Sequence, residues 1–267
     1  MRLQGATVIK TLAHLSDLHL GRSDADAEGL RWAVEALVKA RVDQVVVSGD
    51  LTDGGLLDQL AAFRRITAPL ADRLTVVPGN HDRLGEDAGR LLMRGRVATE
   101  LRDGLYLVRV DSTAPHNRRW LDAHGQLTSD DLVAIEAAID RAPARVLVAV
   151  LLHHHVHRLP GDDLWEQLSA LVGLPFTAEL QRGPALLRYL QGRCDLVLHG
   201  HRHVPAELVL GRGTSRPLRV VNAGSSSGLG RTRLFVHQAG RLTGEGWLDH
   251  GAGDRVEVRE TDLVAAA

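Results

Sequence analysis

Five short blocks hold the residues of this chain that could do chemistry. They are Asp17-Leu18-His19, Gly49-Asp50-Leu51-Thr52-Asp53, Gly79-Asn80-His81-Asp82, His153-His154-His155 and Gly200-His201-Arg202-His203. Carboxylate, imidazole and amide donors with no thiolate suit two borderline or hard divalent ions such as Mn, Fe, Zn or Co. A structural zinc site calls for cysteines, and Cys194 is the only one. Asp17 and His19 stand two apart, so in extended backbone their side chains point the same way; His201 and His203 do likewise, with Arg202 turned away. Seven of the fourteen histidines fall between His153 and His203. Any one alone reads as an ordinary core or surface residue, whereas their joint occurrence with Asp17, His19, Asp50 and Asn80 points to a metal centre.

Each block terminates an apolar run. The stretch Val45-Val46-Val47 stops at Ser48-Gly49-Asp50 and reads as a strand buried on both faces. Residues 11–16, 73–78, 145–152 and 196–198 read as further strands ending at the other blocks, and residues 105–110 as another. In an open α/β sheet, the carboxyl ends of strands are where ligands bind. Between the strands lie helical patterns: Leu30, Val34, Leu37 and Val38 behind a cap at Ser23 or Asp24; Leu56, Leu57, Leu60 and Phe63; and Leu132, Ile135 and Ile139 behind a Thr128/Asp131 capping box. Strand, helix, strand implies right-handed crossovers and a parallel sheet. Residues 87–100 read as one or two polar helices, and Pro184 opens a short one. Short strands at 207–210, 218–221, 232–236 and 256–259 read as an antiparallel sheet. No repeat or linker interrupts the pattern, so residues 1–267 are expected to form a single α/β domain, with a cap-like insert at about 156–183.

Composition excludes several classes. With 44% hydrophobic residues over 267 positions the chain can bury a large core. Lys plus Arg number 32 against 33 Asp plus Glu, a net charge of -1, and aromatics make up 3%, so no nucleic-acid partner is expected. Only Lys10 and Lys39 among the basic residues are lysines, a compositional bias rather than a function. One cysteine suits a reducing compartment, the longest apolar run is too short for a bilayer, and the start lacks a signal-peptide pattern. The expectation is a cytoplasmic protein without a membrane partner; its oligomeric state is left open.

Taken together and in order, the five blocks resemble the signature of the calcineurin-like metallophosphoesterases. The resemblance implies a four-layer α/β/β/α sandwich, two mixed sheets face to face and flanked by helices, with a dinuclear metal centre at the strand ends. It assigns Asp17, His19, Asp50 and His203 to one ion, and Asp50, Asn80, His154 and His201 to the other, with Asp50 as the bridge. Within the triplet, His154 is the choice over His153 and His155, although His155-Val156 replaces the family's usual pattern after the ligand. His81 resembles the histidine that meets the substrate phosphate and protonates the leaving oxygen, with Asp53 orienting it; Asp53 also reads as a helix cap and Asp82 as a turn residue. The implied cofactors are two divalent ions (Mn, Fe or Zn), and the implied reaction is attack of a metal-bridging hydroxide on phosphorus. The leading expectation is a phosphodiesterase acting on a small molecule, such as a cyclic nucleotide or glycerophosphodiester. A phosphomonoesterase or nucleotide pyrophosphatase comes next, then a DNA nuclease, then a scaffold without catalysis. Trp165 and Phe176 are the candidates for a rim that selects the organic part of the substrate.

Overall fold

The computed structural model describes residues 8–157, 180–250 and 256–260. Two six-stranded mixed sheets carry the architecture. The first has the order β12-β11-β10-β1-β2-β3, formed by β1 (Ile9–Leu15), β2 (Gln44–Val47), β3 (Leu74–Val76), β10 (Arg231–Gln238), β11 (Arg241–Asp249) and β12 (Val256–Glu260). The second has the order β4-β5-β6-β7-β9-β8, formed by β4 (Val97–Arg102), β5 (Leu105–Val110), β6 (Leu147–Leu151), β7 (Leu196–His199), β8 (Ala206–Leu210) and β9 (Leu218–Asn222). Strands β1, β2 and β3 run parallel, as do β5, β6, β7 and β9. That is the direction helical crossovers impose.

Three apolar clusters separate four layers. One packs Val45, Val47 and Leu15 against Leu30, Ala33, Leu37, Leu60 and Phe63 of helices α1 (Asp24–Lys39) and α2 (Leu57–Ile66). A second packs Val108, Val148, Val150 and Val197 against α3 (Ser129–Asp140) and α4 (Gly183–Leu190). The third lies between the sheets, where Leu12, Val46 and Phe235 meet Leu107, Ala149, Leu151 and Leu198. Alternate residues of β2 and β6 therefore serve different cores, which is why these strands are apolar on both faces. Ser23 caps α1 by accepting from the Asp26 amide, and Thr128 caps α3 by accepting from the Asp131 amide. No helix among the described residues is long and apolar enough to cross a membrane.

Two expectations need correction. Residues 87–100 form a short 3-10 turn at Ala88–Leu91 followed by β4, which pairs antiparallel with β5. The turn Asp103-Gly104, with Gly104 at φ +77°, closes that hairpin, and pairing to β5 overrides the weak helical pattern. The terminal strands do not form a sheet of their own: β9 adds to β7, while β10 adds to β1, so they widen both sheets. Most of the insert expected at about 156–183, with Trp165 and Phe176, lies outside the described residues.

Candidate metal centre

Strands β1, β2, β3, β6 and β7 end on the same side of the molecule, and their extensions converge. Backbone bonds knit the ends together: the amides of Leu18 and His19 donate to the Asp50 carbonyl, and the Gly200 amide donates to that of His153. The approach is close enough that a Cβ on Gly79 would lie 2.2 Å from Asp50 Oδ1, and one on Gly49, at φ +97°, 2.5 Å from His153 Nδ1. Only glycine fits either position. Asp17, His19, Asp50, His201 and His203 all adopt positive φ, between 45° and 76°, a conformation costly for residues with a Cβ. Such strain, gathered on five candidate ligands, marks the strand ends as functional rather than structural.

Two donor groups result. Asp17, His19, Asp50 and His203 form one, with His19 Nε2 3.0 Å from His203 Nε2, His203 Nε2 3.5 Å from Asp17 Oδ1, and His19 Nε2 3.8 Å from Asp50 Oδ2. In the other, His153 Nε2 lies 3.0 Å from Asn80 Oδ1, 3.3 Å from His201 Nδ1 and 3.4 Å from Asp50 Oδ2; Asn80 Oδ1 is 3.0 Å from His201 Nδ1. One oxygen, Asp50 Oδ2, therefore faces both groups, while Asp50 Oδ1 accepts from the His81 amide at 2.9 Å.

His154 is placed otherwise. Its Nδ1 meets Ser112 Oγ at 2.8 Å and its Nε2 meets the Ala123 carbonyl at 2.9 Å, so both ring nitrogens are engaged, although one of them also lies within 4.8 Å of ligand atoms of His153 and His201. His153 has one nitrogen committed, Nδ1 to the Ser48 carbonyl at 2.8 Å, which turns Nε2 toward Asp50. The buried ring of His155 contributes no atom to either group and stacks on His201.

Asp53 also departs from its expected contact. Its carboxylate Oδ1 lies 3.1 Å from His19 Nδ1 and 3.8 Å from His81 Nδ1. What holds His81 is the Asp53 main-chain carbonyl, which accepts from Nδ1 at 2.8 Å. Asp82 is buried and accepts from the amides of Leu51, Thr52 and Gly79 and from Thr52 Oγ1, fastening the end of β2 to that of β3. Burial, reinforced by the Asp50 charge, pushes its carboxyl up to about 6.

The residues present fit a pair of cations. Nδ1 of His19 is held by Asp53 and Nδ1 of His153 by the Ser48 carbonyl, which turns both Nε2 atoms toward the other candidate ligand atoms, His203 Nε2 and Asn80 Oδ1. Nitrogen and oxygen donor atoms are thus gathered on one spot, and outer hydrogen bonds such as those at the two Nδ1 atoms orient metal-binding imidazoles. Burial opposes ionisation of Asp50, but the neighbouring imidazoles of His153, His81 and His19 outweigh it and hold the carboxyl well below the usual carboxylate range. Burial likewise opposes charge on His153, and Asp50 overrides it, raising the imidazole to about 9. Burial, with the other imidazoles alongside, keeps His201 well below its ordinary value and so available as a neutral ligand.

Comparison with known proteins identifies the family and the fold. A family model described as calcineurin-like phosphoesterase matches residues 10–205. The chain is 32% identical over 203 residues to a 3′,5′-cyclic adenosine monophosphate phosphodiesterase (CpdA) of Pseudomonas aeruginosa, covering 72% of this chain and 69% of that protein. It is 27% identical over 216 residues to a glycerophosphodiester phosphodiesterase (GpdQ) of Enterobacter lignolyticus, covering 72% and 70%. Among solved structures, a dimetal phosphatase from Danio rerio superposes with a TM-score of 0.60 at 14% identity, covering 91% of this chain and 99% of that one. A purple acid phosphatase (PPD1) from yellow lupin gives 0.65 at 12% identity, covering 95% and 53%. The solved structures share the fold, and the family match spans most of the chain: this protein belongs to the calcineurin-like phosphoesterase family.

Proposed function

We propose that the protein is a dinuclear-metal phosphodiesterase acting on small-molecule diesters, cyclic nucleotides first among them. The observation that carries the reading is Asp50 Oδ2, one carboxylate oxygen facing two histidine-containing donor groups at 3.8 and 3.4 Å. Asp17, His19, Asp50 and His203 would hold one ion, and Asp50, Asn80, His153 and His201 the other, which moves the role first given to His154 onto its neighbour. Two divalent ions, when bound, supply an activated water and neutralise phosphate oxygens. The chain's own part is positioning and proton transfer. His81, with Nδ1 held by the Asp53 carbonyl, can turn only Nε2 toward a leaving oxygen, where it would serve as the proton donor. Asp53 fixes the ring of His19 through its carboxylate and that of His81 through its carbonyl.

The small-molecule diester class rests on the names of the relatives and on a net charge of -1, which gives no overall attraction to a polyanionic nucleic acid. A single domain and a cytoplasmic location, in keeping with the lone free Cys194, complete the proposal. To test it, purified protein is assayed on 3′,5′-cyclic AMP, glycerophosphoethanolamine and p-nitrophenyl phosphate, before and after chelation. The diesters should be hydrolysed, chelation should abolish the activity and added Mn should restore it. Preference for the monoester, or activity unaffected by chelation, would overturn it.

A further inference from the structure

Beside the candidate centre stands an aromatic side chain that the ligand geometry does not explain. The indole of Trp120 meets the His81 imidazole edge-on, ring centroids 5.0 Å apart, yet remains 65% exposed. His81 in turn meets His19, a member of the first donor group, at 4.6 Å. Trp120 is thus one ring removed from the metal-binding residues and open to solvent.

The loop that carries it is built to stay in place. Buried Asn117 accepts from the Ala114 amide and donates through Nδ2 to the carbonyls of Asp122 and His124, closing the loop across its base. His116 donates to the His124 carbonyl and stacks on its ring at 3.9 Å. Arg118 pairs with Asp87 at 3.3 Å. His154 ties the Ala123 carbonyl to Ser112, so the neighbour of His153 anchors this loop to the strand end that bears the centre. A large apolar side chain set on a loop so fastened, yet left in water, is the arrangement expected of a stacking platform.

Resting on the diesterase reading above, we propose that Trp120 receives the organic part of the substrate and that this part is a planar nucleobase. A base joined to phosphate through one sugar can cover the indole while the phosphate lies at His81, whereas a glyceryl or ethanolamine group has no flat face to offer. Base stacking on an aromatic side chain changes affinity by roughly 5- to 150-fold.

The test compares wild type, Trp120→Ala and Trp120→Phe on 3′,5′-cyclic AMP and glycerophosphoethanolamine, with metal content measured on each protein. In Trp120→Ala the ratio of kcat/KM for the cyclic nucleotide to that for the glyceryl diester should fall by about tenfold or more. The loss should lie in KM, metal content should match wild type, and Trp120→Phe should recover most of the ratio. Equal losses on both substrates, a loss confined to kcat, or reduced metal content would show Trp120 to be a support for His81 and overturn the proposal. A wild type that hydrolyses only the glyceryl diester would overturn it too, leaving the diesterase reading intact. A wild type that hydrolyses neither would defeat that reading itself.

Discussion

The three histidines at 153–155 divide by strand parity. Along β6, Leu147, Ala149 and Leu151 face the core between the sheets, while Val148, Val150 and Leu152 face the helices. Carrying that alternation past Leu151 turns His153 toward the inter-sheet side, where Asp50 and Asn80 stand, and His154 toward Ser112 and Ala123. The alternation in the apolar pattern favours His153, whereas the family's motif favoured His154. No comparable signal existed for Asp53, because which imidazole its carboxylate reaches depends on the paths of two loops. Proton transfer also belongs to this scale. His81→Ala should lower hydrolysis of a dialkyl phosphodiester by about a hundredfold or more, the usual contribution of a general acid, and hydrolysis of bis(p-nitrophenyl) phosphate far less, because an aryl oxide departs unprotonated. Steady-state rates on the two esters check this. Equal losses would leave His81 positioning phosphate instead.

Elements built on strong apolar alternation were legible. Residues 105–110, read as a strand from sequence, form β5 with those bounds, and β2, β6 and β7 differ by a few residues at most. β4 was missed because this edge strand buries none of its residues fully and leaves Thr99 and the apolar Leu101 exposed, so it has little apolar contrast, and only the Asp103-Gly104 turn announced it. The positive φ of Asp17, His19, Asp50, His201 and His203 was equally hidden, since non-glycine residues carry no mark of it. The tie between elements that matters most here is Asp82. Replacing it with Ala would leave the Leu51, Thr52 and Gly79 amides and Thr52 Oγ1 without their acceptor in a buried site. Each such loss costs about 1–3 kcal/mol, so Asp82→Ala should reduce the unfolding free energy by about 3 kcal/mol or more in denaturant titration. A change below about 1 kcal/mol would show that other contacts hold the β2 and β3 ends together.

For the whole molecule, layering was not readable from periodicity alone. Apolar runs indicate strands buried on both faces but not which sheet takes them, and the assignment of β10 to the first sheet and β9 to the second came only with the structure. The four-layer arrangement entered through the family resemblance, and three separate apolar cores now account for it physically. The account turns on Asp50 joining two metal sites at the seam where the two sheets' strand ends meet. The direct measurement is metal stoichiometry, by elemental analysis after Mn loading and desalting, on wild type, Asp50→Ala, His153→Ala and His154→Ala. Wild type should retain two equivalents per chain, Asp50→Ala well under one, His153→Ala about one, and His154→Ala two. Two equivalents retained by Asp50→Ala, or a lost ion in His154→Ala with none lost in His153→Ala, would contradict it.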